Sequence, residues 1–115
     1  MEDYMEIRQD KRGDIITLDL VGRLDANTSG ELEAVLIPLI DGGEKKFILD
    51  FSDLEYISSA GLRLLLLAAK KLRNNKGEII LCSMKDFIKE IFEISGFTPI
   101  FTIVDNKETA LDKLQ

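Results

Sequence analysis

Apolar residues recur along this chain with two periods, and the period changes wherever glycine, asparagine, aspartate or proline cluster. Tyr4-Met5-Glu6-Ile7-Arg8 alternates apolar and polar positions, the pattern of a half-exposed edge strand. Ile15 to Val21 follows across Arg12-Gly13-Asp14, and so short a glycine-containing link predicts an antiparallel hairpin. Gly22 to Asn27 then reads as a loop leaving the sheet. Leu32, Val35, Leu36 and Leu39 fall at i, i+3, i+4, i+7, one face of a helix. Asn27 or Thr28 would cap that helix, with Glu31 completing a capping box from Thr28. Pro38, which cannot donate to the carbonyl of Ala34, is expected to kink or end it before Gly42-Gly43.

Phe47 to Phe51 is a short apolar run and predicts a buried strand. Further on comes a corner of small residues, Ser58-Ser59-Ala60-Gly61, which opens directly into Leu62-Arg63-Leu64-Leu65-Leu66-Leu67-Ala68-Ala69. These are strong helix formers with no β-branched residue among them, so a helix is expected until Asn74-Asn75-Lys76-Gly77 stops it. Glu78 to Cys82, with a fully apolar centre at Ile79 to Leu81, suits a parallel strand covered on both faces. Ser83 with Asp86 offers another capping box for a third helix, lined by Phe87, Ile88, Ile91 and Phe92 and ended by Gly96 in a left-handed conformation. Ile100 to Val104 is a last strand, and Asp105 or Asn106 caps a final helix through Leu114.

The order β-β-α-β-α-β-α-β-α, a hairpin followed by strand–helix–strand crossovers, defines an α/β class. It predicts a mixed, mostly parallel sheet of four to five strands with about four helices packed on it. A length of 115 residues suits one domain, taken as 1–115.

Composition narrows function chiefly by what it removes. The chain has no histidine, so Ser-His-Asp, Cys-His and His-ligated zinc arrangements are out of reach, and catalysis is not expected. A single cysteine, Cys82, allows no internal disulfide and no Cys-rich metal site, and its apolar surroundings make it a core residue. Neither cofactor nor metal is expected. The net charge of −6 argues against nucleic acid or an anionic membrane as partner, and Lys70, Lys71, Arg73 and Lys76 sit where a helix C-terminus favours cations. With no run of about 20 apolar residues, and acids among the first ten positions, a cytoplasmic location is expected.

Candidate chemistry gathers at the corner. Ser58 and Ser59 can be read as ordinary helix caps. The same geometry, a hydroxyl where unpaired N–H groups point outward, also tolerates a phosphate, with Ala60 and Gly61 adding no bulk. Loops at the carboxyl ends of parallel strands share one face, so Asp25 and Asp53 are candidates to flank it. Either can equally be tying down its own loop through an Asx turn. On the helix, Leu62, Leu65, Leu66, Ala69 and Leu72 share the core face. Leu64 and Leu67 fall outside it beside Lys71, where surplus apolar residues mark either a partner surface or a broader core.

Three segments together carry a resemblance: Val21-Gly22-Arg23-Leu24-Asp25, Leu49-Asp50-Phe51-Ser52-Asp53-Leu54, and Tyr56-Ile57-Ser58-Ser59-Ala60-Gly61-Leu62. In this order the chain resembles, over essentially its whole length, the STAS domains of bacterial anti-sigma-factor antagonists. The resemblance implies a single STAS-type domain, not an enzyme, with Ser59 as phosphoacceptor, Ser58, Ala60, Gly61, Asp25 and Asp53 around it, and Leu62, Arg63, Leu64 and Leu67 meeting a partner. The partner it implies is an anti-sigma factor with serine-kinase activity, bound when Ser59 is free and released when it is phosphorylated. A metal-dependent serine phosphatase would reverse the modification. Better-known members carry Asp-Ser-Ser where this chain has Ser58-Ser59-Ala60. The alternative reading is a nucleotide- or small-ligand-binding domain, with weak purine nucleotide binding at the corner, or a constitutive scaffold in a stress-signalling complex.

Overall fold

A computed structural model describes residues 4–115. Five strands form one sheet in the order β1-β2-β3-β4-β5. They are β1 (Met5–Arg12), β2 (Ile15–Leu24), β3 (Lys46–Ile57), β4 (Glu78–Cys82) and β5 (Thr102–Val104). The β1/β2 pair is antiparallel, turning at Gly13 and Asp14 with Gly13 at φ +60°, and the other three pairs are parallel. The helices are α1 (Ser29–Asp41), α2 (Ser59–Asn74), α3 (Asp86–Ile94) and α4 (Lys107–Leu114), with a 3-10 turn at Thr98–Ile100. The α/β class and element order expected from the periodicity are those observed.

Alternation along the strands sorts the core onto two faces. Leu18, Leu20, Phe47, Leu49, Phe51 and Leu81 point to one side, where they meet Leu32 and Leu36 of α1, Leu65 and Leu72 of α2, and Ile88 and Phe92 of α3. Three right-handed crossovers in the same direction along a sheet place their helices on the same face, which is why α1, α2 and α3 lie together. Ile15, Ile48, Ile80, Cys82 and Val104 point the other way, onto Ala110 and Leu114 of α4. The first residue of α4, Lys107, reaches Asp19 at 3.1 Å and Asp50 at 3.4 Å, carboxylates that are register partners on β2 and β3. Burial opposes the charge on Lys107, yet these two carboxylates hold its pKa above the ordinary lysine value.

Helix ends follow one device. At the C-termini of α1, α2 and α3, the residue at positive φ (Gly43, Lys76, Gly96) is followed by an N–H returned to a carbonyl five residues back. The pairs are Glu44 to Leu39, Gly77 to Leu72 and Phe97 to Phe92. These are Schellman closures, which satisfy the last orphan carbonyls. Helix starts correct several expectations. Thr28 does not cap α1: its hydroxyl turns back, donating to the Arg23 carbonyl at 2.7 Å and accepting from the Asp25 N–H at 2.9 Å, so no capping box forms with Glu31. Ser83 does not cap α3, because it stands two residues before the cap position, Lys85, at φ +62°. Of the two candidates for α4, Asn106 is the cap, accepting from the Thr109 N–H at 2.8 Å.

Pro38 does not end α1, which continues to Asp41. Both Pro38 and Ala34 are exposed, so the carbonyl deprived of its donor faces water. The last strand is shorter than expected, since Ile100 belongs to the 3-10 turn. The two central strands are longer. β2 runs through Leu24 and β3 through Ile57, forming an extension beyond the end of β4, with register irregularities between Asp19 and Val21 and between Gly22 and Arg23.

Candidate functional site

The corner sits at the tip of that extension. Ser58, at φ −103° and ψ 176°, is still extended, and its N–H donates to the Leu24 carbonyl at 2.9 Å, fastening the end of β3 to the end of β2. Its own carbonyl accepts the first helical bond, from the Leu62 N–H at 3.0 Å. Between them α2 opens with Ser59. Gly61 explains how the helix can start so close to the sheet: a Cβ there would lie 2.7 Å from Leu24 Cγ and 3.0 Å from Ile57 Cγ1. The small-residue corner is thus a packing requirement as well as a chemical opportunity.

Ser59 is exposed, the first residue of the helix, while Ser58 is half-buried. Ser58 Oγ makes no capping bond, and the oxygen is buried without a hydrogen-bond partner among the described residues. The first-turn amides of α2 therefore have no side-chain acceptor from the cap position. Nor is there an acid to balance the helix dipole: α1, α3 and α4 carry Glu31, Asp86 and Glu108 in their first turns, and α2 carries none. Along α2 stand four cations, Arg63, Lys70, Lys71 and Arg73, and no acidic residue.

Of the two acids expected to flank the corner, Asp25 lies in the loop after β2 but is committed there. One of its oxygens accepts from the N–H groups of Asn27 (2.9 Å) and Thr28 (3.2 Å), while the other lies 3.5 Å from the Arg23 guanidinium. Asp25 ties down its own loop. Arg23 in turn lies over the Tyr56 ring, 4.4 Å from its centroid. Asp53 is not brought to the corner. The expectation assumed that the chain leaves the sheet after Phe51, whereas β3 continues, placing Asp53 five extended residues, roughly 16 Å, before Ser58. There it lines a cleft of about 340 Å³ with Tyr4, Val21, Gly22, Glu55 and Lys85.

The residues expected to face a partner divide. Ser59, Arg63 and Leu67 are exposed and recur at four-residue intervals, forming one outward stripe with Lys70 beyond. Leu62 and Leu64 do not belong to it, being buried at 4% and 6% exposure, and the expectation that they meet a partner is corrected. The reason for Leu64 is α1, which packs along α2 on that flank. Lys71, expected on the wet side, instead reaches Asp41 at the end of α1, 3.0 Å away. The buried arc is rotated toward α1, taking in Leu64 and leaving Leu66 only partly covered. Cys82 is fully buried, and desolvation pushes its thiol up to about 11. Among the described residues no helix is long and apolar enough to cross a membrane.

Residues 6–110 match the STAS domain family model. The chain is similar to BtrV of Bordetella bronchiseptica, provisionally named an anti-sigma factor antagonist: 42% identical over 92% of this chain and 91% of that one. It is also similar to the anti-sigma-B factor antagonist of Staphylococcus aureus, 31% identical over 76% of this chain and 81% of that one. In fold it matches the Bacillus cell fate determinant SpoIIAA in its phosphorylated form, with a TM-score of 0.76 at 22% identity, covering 96% of this chain and all of that one. The chain belongs to the STAS domain family and has the fold of the anti-sigma factor antagonists, regulatory binding proteins rather than catalysts.

Proposed function

We propose that this protein is a partner-switching regulator whose unphosphorylated form binds an anti-sigma factor and so frees a sigma factor, and whose phosphorylation on Ser59 blocks that binding. The observation that carries the reading is the position of Ser59, an exposed hydroxyl at the first turn of α2, in line with Arg63 and Leu67 on the same outward stripe. Membership of the STAS family and the names of its relatives support an anti-sigma factor as partner. SpoIIAA, similar in fold, exists in unphosphorylated and phosphorylated forms. The kinase in this reading is the anti-sigma factor itself, and a metal-dependent serine phosphatase restores the hydroxyl.

The physical basis of the switch is charge at a contact surface. A phosphoserine adds about −1.5 to −2 charge at neutral pH. At a helix N-terminus that charge is tolerated by the fold, so it acts by excluding a closely packed partner rather than by unfolding the domain. The test is incubation with ATP and candidate anti-sigma factors, followed by mass spectrometry and a binding titration. Phosphate on Ser59, none in Ser59→Ala, and at least tenfold weaker binding of Ser59→Asp (about 1.4 kcal/mol) are the expected results. Incorporation that persists in Ser59→Ala, or a folded Ser59→Asp that binds at full strength, overturns the reading.

A further inference from the structure

We propose that Arg63 is the internal counter-ion of a phosphate on Ser59, so that modification withdraws a cation from the docking stripe at the same moment as it adds an anion. The inference rests on the reading of Ser59 as phosphoacceptor and names the residue that receives the new charge. Ser59 and Arg63 stand four residues apart on the exposed side of α2, the separation at which helical side chains meet. The anionic member would be N-terminal to the cation, the favourable orientation for such a pair. A guanidinium offers planar, paired N–H donors suited to phosphate oxygens.

Arg63 is also free to respond. Arg8, Arg12 and Arg23 each lie within 2.7–3.5 Å of a carboxylate, whereas Arg63, like Arg73 at the far end of the same helix, has no ion pair among the described residues. Its own helix supplies no acid to compete. The acids on neighbouring elements are Asp25 after β2, Glu31, Glu33 and Asp41 on α1, and Asp50, Asp53 and Glu55 on β3. Asp25 is held by loop amides and Arg23, Asp41 by Lys71 and Asp50 by Lys107, and the other four are exposed and none is ion-paired to Arg63. The first-turn amides receive no side-chain acceptor from Ser58, so the start of α2 adds its positive potential to the pull on the phosphate.

In the free state Arg63 is thus available to an acidic group on the partner; in the modified state it is occupied by its own chain. The test is to install phosphoserine at position 59 by genetic encoding, in the otherwise native chain and in Arg63→Gln and Arg63→Lys, and to titrate the phosphate by phosphorus NMR. The expected result is a second ionisation in the native background about half a pH unit below that of Arg63→Gln, with Arg63→Lys recovering most of the difference. Thermal midpoints of the three unmodified proteins should agree, because Arg63 is exposed; a merely structural role would move those midpoints and leave the phosphorus titration alone. Identical titration in all three chains overturns the inference. Because the phosphate is installed rather than enzymatic, that outcome is separate from failure of the switch itself, which shows as undiminished anti-sigma factor binding by the phosphorylated native protein.

Discussion

At its C-terminal end α2 is closed by the Lys76 and Gly77 N–H groups returning to the Arg73 and Leu72 carbonyls, with Lys71 and Arg73 in the last turn to match the dipole. At its N-terminal end the same helix has no side-chain cap, no acid and an unpartnered buried hydroxyl. One end is finished within the domain; the other is left with donors and positive potential facing outward. The contrast teaches where stability has been left incomplete, and that is the place where Ser59 stands. A helix optimised for stability alone would carry aspartate or glutamate in this first turn.

The comparison extends along the flanks of α2 and is sharpened most by two leucines on opposite sides of it, Leu64 and Leu67. Leu64→Ala should lose about 2–5 kcal/mol in urea unfolding, since the side chain is buried against the core. Leu67→Ala, at 42% exposure, should stay within about 0.5 kcal/mol of the parent while weakening anti-sigma factor binding. Equal stability losses at both positions would break the division between covered and docking flanks.

Next in size are the two glycines that bring the ends of α2 onto the sheet. Gly77→Ala should cost about 1–3 kcal/mol, because its Cβ would lie 2.7 Å from the Lys45 carbonyl oxygen, a backbone atom that cannot swing aside. Gly61→Ala should cost somewhat less, about 1–2 kcal/mol: Leu24 Cγ and Ile57 Cγ1 sit near the root of buried side chains and must shift, but alanine is the better helix former. Chemical denaturation of the two variants side by side checks the order. The smallest effect is a gain. Lys76 holds the left-handed position that α1 and α3 give to Gly43 and Gly96, so Lys76→Gly should raise stability by about 0.5–1 kcal/mol, read as a higher urea midpoint.

How much of this was legible in the sequence depends on whether a residue's neighbours are local. The apolar run at Phe47 to Phe51, helical spacing at Leu32 to Leu39 and the Gly96 stop rest on short-range geometry, and each corresponds to an observed element. The extension of β3 was missed because the spacing of its buried residues changes from two to three at Phe51, Leu54 and Ile57, beside the register irregularities in its pairing with β2. A strand with that spacing has no period-two signature to find, and Asp53 was misplaced as a result. Periodicity left Leu64 open between a partner surface and a broader core because its cover comes from α1, a contact between residues far apart in the chain. Thr28 was misjudged because its hydroxyl has better partners behind it than ahead. At the corner, the run of small residues was readable; the commitment of Asp25 to its own loop and the solitude of Arg63 were not, since both depend on which charges the fold brings within reach.

The burial of Cys82 has a practical consequence. With the chain's single thiol sealed under α4, and its ionisation pushed to about 11, the outer surface is blank to maleimides and iodoacetamides at neutral pH. A thiol engineered anywhere along the outward stripe of α2 would be the sole handle for a fluorophore or spin label, and its signal would report on that side of the helix without contamination from elsewhere.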